Sequence, residues 1–370
     1  MIMARIIKAT ILLMFSFIVN ISAQNEPKKP DNVSDAAWEH LMNIYKYQIP
    51  DSFVGYGPTK DGGWLTYEKH IFKYDKHHHP IYIDVYRMFD DGYRFVDRSL
   101  DTYDSITGKM RSHDMHAMER KYVDSFSTHT QNMTFYDEQG RMIRYEDHMA
   151  KQNRDSKGSI TNDWYVSNID SSAYAFNKFK VPVSLNSYNY KYADKKWSLR
   201  INYTADSIDK KGLPGAITVS EPNKNDKLTP IYKYHAIKWA VPFIDFFGID
   251  TSAKEYVMAN YDGKKWTDSL KRVTSFDKNN RVDTTVLYTF ENGVFVPYNK
   301  DVYTYDNIAG HASEQHFVYL EKQWVLRSGK RRTVKVDPQH MDVEIIGEIY
   351  SINDETNKGA WSVEYKILAY

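Results

Sequence analysis

A chain of 370 residues, 42% of them hydrophobic, is long enough to bury a substantial core without cross-links, and it has no cysteine. That excludes disulfides, thiolate metal sites, a cysteine nucleophile and a lipid anchor on cysteine. Lys and Arg total 49 against 48 Asp and Glu, so no overall field gathers nucleic acid or an anionic membrane.

The chain opens with Arg5 and Lys8, an apolar run from Ile11 to Val19, and Ile21-Ser22-Ala23. Basic start, greasy centre and small residue together spell a secretory signal peptide over residues 1–23, which is too short to span a bilayer comfortably. No later stretch is long and apolar enough to form a transmembrane helix. Cleavage after Ala23 removes two positive charges and no negative one, taking the formal charge from +1 to −1. The protein is therefore expected to be exported, to the periplasm or the cell surface.

Residues 24–50 read as a linker and a capping helix. Ser34 suits the N-cap and Asp35 the first turn, and Trp38, Leu41, Met42 and Tyr45 fall on one helical stripe. The helix is expected to cover the first strand edge of a β-array that begins near residue 51, because bare edges invite aggregation.

The array is built of repeats. Trp266, Phe295 and Trp324 are 29 residues apart, and the same step carries Tyr261 to Phe290 to Tyr319 and Phe276-Asp277 to Tyr305-Asp306. Tyr74-Asp75 and Tyr103-Asp104 keep the step once near the N-terminus. Tyr136-Asp137 is a further copy, and residues 192–197 echo residues 261–266. Within one unit, Val282, Thr284, Val286, Tyr288 and Phe290 alternate with Asp283, Thr285 and Thr289, the period of a strand. Asn292-Gly293 then marks a hairpin turn, as does Asp91-Gly92. One unit is thus two antiparallel strands and two turns. Aspartate at a turn hydrogen-bonds the backbone ahead of it, which accounts for the recurring Tyr-Asp. At this density the mature chain holds about twenty strands, and open sheets of that size curl or split. The expected fold is all-β: hairpin repeats forming curved or superhelical sheet modules over 51–220 and 231–370, parted at the polar, proline-bounded stretch 221–230.

The Tyr-Asp turns, the glycine or asparagine after them, and the tryptophan-bearing second strand resemble the YD-repeat type of secreted bacterial protein, in particular tyrosine-rich repeat proteins of unknown function exported by Bacteroidetes. The resemblance is good over 255–337 and patchy over 64–220. It implies shells or spirals of hairpins that act as scaffolds or surface-contact elements.

Candidate chemistry is sparse. His77-His78-His79 lies in a turn. On a strand its neighbours would point to opposite faces, so turn filler is the expectation and a zinc or copper site the alternative. His113, Asp114, His116 and Glu119 bring at most two or three groups together in either strand or helix. His311, Glu314 and His316 look like a scrambled metalloprotease motif but occupy a repeat strand, where His311 faces away from the other two. No phosphate loop, nucleophile elbow or dinucleotide fingerprint is present, and no cofactor or metal is implied. The apolar stretch 237–248, interrupted by Pro242, reads as a plug against the second module or as an exposed contact loop.

These observations lead to the expectation of an exported, non-enzymatic β-repeat scaffold or binding protein of the bacterial envelope. It would contact a protein or glycan, and not nucleic acid, through Trp197, Trp239, Trp266 and Trp324. The alternatives are an outer-membrane β-barrel and an enzyme with its site in an inserted loop. Lys300 and Asp301, on opposite faces of one strand, oppose the barrel.

Overall fold

The computed structural model describes residues 29, 33–47, 50–105, 108–118, 126–139, 141–154, 160–191, 195–240, 243, 246, 249–305, 311–337, 339–353 and 358–370. The segment 1–23, where a signal peptide is expected, lies outside them.

Helix α1 (Asp35–Tyr47) starts where the N-cap residue places it: Ser34 Oγ accepts a hydrogen bond from the backbone N–H of Ala37 at 3.2 Å. Among the described residues twenty strands come after it. The first four are β1 (Ser52–Pro58), β2 (Trp64–Tyr74), β3 (Pro80–Phe89) and β4 (Gly92–Tyr103). Next come β5 (Met110–Met118), β6 (Phe126–Tyr136), β7 (Met142–Arg154), β8 (Ile160–Phe176) and β9 (Pro182–Lys191). Then β10 (Lys196–Ile208), β11 (Pro214–Pro222) and β12 (Leu228–Trp239) lead to a single helical turn, α2 (Ile249–Ser252). The chain continues through β13 (Ala253–Tyr261), β14 (Trp266–Phe276), β15 (Val282–Glu291) and β16 (Val294–Tyr305). It ends with β17 (His311–Leu320), β18 (Gln323–Asp337), β19 (Asp342–Asn353) and β20 (Lys358–Ala369).

All twenty strands belong to one sheet, and every register described is antiparallel between hairpin neighbours, with one decisive addition. β1 pairs with β20 as well as with β2: Phe53 lies opposite Ala369, Val54 opposite Leu368, Gly55 opposite Ile367 and Tyr56 opposite Lys366. Ser52 and Tyr370 exchange backbone hydrogen bonds at 2.9 and 3.3 Å just beyond this ladder. The sheet is therefore a closed 20-strand antiparallel β-barrel. This corrects the expectation of open, curved or superhelical hairpin modules. Hairpin repeats of one length serve an open sheet or a closed one, and closure resides in a pairing between the two ends of the chain. The stretch 221–230 is a hairpin, with Glu221 opposite Thr229 and Pro222 opposite Leu228.

The residues fall into two compact units. In the first, which holds α1, β1–β3, β19 and β20, the buried Leu41 and Ile44 of α1 pack with Phe53, Phe72, Val343, Ile345, Ile367 and Ala369. The helix lies against the face of the seam strands, not over a free edge, because β1 has a partner on both sides. Close packing of β19 on β20 requires glycine at two places: a Cβ on Gly347 would sit 2.3 Å from the ring of Tyr365, its register partner, and one on Gly359 would sit 2.1 Å from the ring of Tyr350. In the second unit, which holds β5–β15, Leu185, Ile217, Phe243, Phe246, Ile249, Ala253 and Tyr256 form the core. The stretch 237–248, read from sequence as a plug or an exposed contact loop, supplies Phe243 and Phe246 to the second core; the residues immediately flanking these two are outside those described.

Turns obey their side chains. Asp75 Oδ1 accepts the backbone N–H of His77 and of His79, at 2.8 and 2.9 Å, and the Asp75 N–H donates to the His79 carbonyl. Asp137, Asn177, Asp209, Asn223 and Asp277 repeat this arrangement. In the turns that open at Asp75, Asn177, Asp209, Asn223 and Asp277 the fourth residue is left-handed, from φ 57° at Asp226 to 85° at Gly212, as a five-residue Asx turn with a bulge demands. The other expected hairpin, Asn292-Gly293, has φ of 51° and 85°, the tight turn that fits strand twist. The turn expected at Asp91-Gly92 sits one residue earlier, on Asp90 and Asp91, and Gly92 opens β4.

Partial burial pushes the carboxyls of Asp137 and Asp277 up, but the backbone N–H groups they accept and the guanidinium of Arg141 or Arg281 outweigh it and hold both below the ordinary carboxylate range. A carboxyl lowered on folding stabilises the protein fully above its unfolded value of about 3.9, and that stabilisation is lost as pH falls through the folded value. The melting temperature is expected to fall as pH drops below about 4. The double variant Asp137→Asn/Asp277→Asn keeps the Asx turn, as Asn177 and Asn223 do, and is expected to show a shallower acid limb. An unchanged acid limb in a pH series of thermal melts would contradict this role.

Candidate functional site

Aromatic residues bracket alternate hairpins. Ring centroids lie 5.0 Å apart in Tyr261–Trp266, Phe290–Phe295 and Tyr319–Trp324, and 5.4 Å apart in Tyr190–Trp197 and Tyr350–Trp361. The 29-residue step from Trp266 to Phe295 to Trp324 is this cross-strand pair returning once per two-turn unit, at a separation where aromatic contacts are favourable.

That places the four tryptophans singled out by the sequence. Trp197 and Trp266 lean on their tyrosine partners and stay 43% and 37% exposed. Trp324 leans on Tyr319 and carries the Lys300 ammonium 5.0 Å above its ring. Trp239 is different: its indole N–H donates to the Pro214 carbonyl at 2.7 Å, and its ring meets Phe243 at 4.8 Å against the second core. The structure does not bring these four into one cluster.

The histidine motifs are absorbed locally. His77, His78 and His79 form the Asx turn, and His79 Nδ1 lies 3.1 Å from Asp75 Oδ2. His113 pairs with the buried Asp101 at 2.6 Å, while Asp114 accepts from Gln131. Glu119 and the His116 and His311 side chains lie outside the described residues. Glu314 and His316 sit on strand β17. Among the described residues, no group of three or more His, Asp or Glu could hold a metal ion.

The site that sequence reading missed is a cavity of about 920 Å³ in the first unit, walled by β18, β19 and β20 on the face opposite α1. Strand pairing builds it. Lys335 stands opposite Glu344 and Asp337 opposite Asp342, and Glu344 in turn stands opposite Leu368. Alternation then sends all of these to one face, joined by Lys366 and Tyr370. Lys366 Nζ bonds Glu344 Oε2 at 2.6 Å, and His340 Nδ1 lies 2.7 Å from Asp337 Oδ2. The hydrogen bond and the charge of Asp337 raise His340 above its ordinary value. The signal for this site was present as charges spaced by two residues in three segments. It was illegible without knowing that those segments are neighbours.

No family model matches the chain, and no curated protein matches it. Among solved structures, the chain bears a distant, partial resemblance to DUF3836 family proteins of Bacteroidetes. One from Bacteroides vulgatus is 15% identical over 26% of this chain and 92% of its own, with a TM-score of 0.20. One from Parabacteroides distasonis is 14% identical over 26% and 87%, with a TM-score of 0.18. A porin-like protein from Bacteroides vulgatus is 7% identical over 70% of this chain and 98% of its own, with a TM-score of 0.31. Likenesses this slight carry no argument about function.

The placement of the tryptophans predicts unequal costs. Trp239→Ala is expected to destabilise by about 3–5 kcal/mol, as for a large ring lost from a core. Trp266→Ala is expected to cost about 1 kcal/mol, the worth of a surface aromatic pair. Urea denaturation monitored by circular dichroism measures both, and equal costs would contradict the assignment.

Proposed function

We propose that this chain is an outer-membrane β-barrel. The pairing of β1 with β20 carries the reading, because it leaves the sheet without an edge. A closed sheet is the one strand architecture that satisfies every backbone group within a bilayer. Strands such as β3, β9 and β15, each of 10 residues, have the length a tilted strand needs to cross one. Among the described residues no helix is long and apolar enough to cross a membrane, so strands would do so. Export through the signal peptide of residues 1–23 belongs to the same proposal. This replaces the expected non-barrel scaffold that binds partners through exposed tryptophans, which the closed sheet overturns.

A second reading, a barrel that remains in water, is favoured by one specific observation. In each unit the sheet face opposite the core carries ion pairs. In the first these are Lys366–Glu344 and Arg331–Glu348. In the second they are Lys233–Asp206, His235–Asp268, and Glu255 with both Lys238 and Lys271. A charge at the bilayer midplane costs about 2–4 kcal/mol for Lys or Arg on a lipid-facing strand.

Fractionation of the native host decides between the two. The outer-membrane reading expects the protein in the pellet after a carbonate wash, and a shift in gel mobility on boiling. Full release into the carbonate supernatant would overturn it in favour of the aqueous barrel.

A further inference from the structure

We propose that the cavity between β18, β19 and β20 binds a zwitterion of the amino-acid type, taking its ammonium at Asp342 and its carboxylate at Lys335. The inference stands on the first unit alone and is independent of whether the barrel enters a membrane.

The argument is one of charges left over. Four of the charged groups in the cavity are matched in pairs, Lys366 with Glu344 and His340 with Asp337. The side chains of Asp342 and Lys335 make no hydrogen bond or ion pair among the described residues, yet both line the same cavity. Asp342 is only 7% exposed. Its strand partner is another carboxylate, Asp337, so its nearest cross-strand neighbour offers no compensation. Lys366 and His340 offset part of its charge from a distance, but each is already bonded to a different acid. A buried carboxylate without a donor is costly, and an ammonium group entering the cavity would supply up to three.

Lys335 presents the opposite deficit. Its strand partner Glu344 is taken by Lys366, which leaves the Lys335 ammonium without an acid at the cavity wall. The two unmatched groups have opposite sign and sit on adjacent, paired strands, two residues apart in register and so on the same face. A single cation would be repelled by Lys335 and a single anion by Asp342, whereas one small molecule bearing both charges meets both. Leu368 and Tyr370 complete the lining and offer an apolar surface for a side chain. The ligand class is therefore an α-amino acid with an apolar side chain, or a short peptide that presents the same termini.

The probe is L-leucine, titrated calorimetrically into the full-length protein beside leucinamide, which lacks the carboxylate, and N-acetylleucine, which lacks the ammonium. The expected result is binding of leucine, with each analogue weaker by about tenfold or more, the worth of one hydrogen bond to a charged group. Asp342→Asn is expected to abolish the preference for leucine over N-acetylleucine. Lys335→Gln is expected to abolish the preference over leucinamide. The ligand series on the unaltered protein tests the proposal even if a variant fails to fold. No heat from leucine at millimolar concentration, or equal affinity for all three compounds, would overturn it.

Discussion

The structure depends on the pairing of its first strand with its last. Four register pairs and a reciprocal backbone exchange between Ser52 and Tyr370 join segments that lie at opposite ends of the chain. Without them β1 and β20 would each present a row of unpaired N–H and C=O groups, the condition under which long sheets aggregate. Closure over so many residues carries an entropic cost that grows only slowly with length, but it delays the last pairing until both ends are formed. Helix α1 answers that problem. Leu41 and Ile44 bury themselves against residues of β1, β2, β19 and β20 together, so the helix braces both sides of the seam. A helix that reads in sequence as an edge cap thus has a different task, because there is no edge to cap.

Whatever was local could be read from the sequence. The N-cap at Ser34 and the stripe through Leu41 made α1 legible, although Ile44, buried nearly as deeply as Leu41, was not picked out. Turn chemistry was legible because the aspartate side chain acts on the next four residues, as at Asp75, Asp137 and Asp277. The aromatic step of 29 residues was legible for the same reason, since Tyr261 and Trp266 meet across a single tight turn. The all-β class and the strand count come from that periodicity.

Features that depend on non-local pairing were hidden. Backbone hydrogen bonds between β1 and β20 leave no mark in side-chain pattern. Which face of a strand meets a core was equally obscure. On β15 the series Val282, Thr284, Val286 looks like the inward set, yet the residue that is buried is Thr285, opposite Thr274 of β14, whose Leu270 packs on the second core. The cavity was missed for the same reason. Lys335, Asp342 and Lys366 come together only through the registers of β18 with β19 and β19 with β20. The same two-residue alternation that places a core on one face of each unit places ion pairs, and in the first unit the cavity, on the other.

The seam is open to one direct measurement, because the chain has no cysteine of its own to confuse it. Val54 and Leu368 are register partners across β1 and β20, and Val54 and Lys69 are partners across β1 and β2. Directly opposed antiparallel residues have Cα atoms about 4.5–5.5 Å apart, a separation a disulfide can bridge. The variants Val54→Cys/Leu368→Cys and Val54→Cys/Lys69→Cys are therefore both expected to cross-link on mild oxidation of the folded protein, with the first closing a ring detectable by its gel mobility and by mass. Cross-linking of the β1–β2 control alone, with the Val54→Cys/Leu368→Cys pair remaining reduced, would contradict the closed barrel.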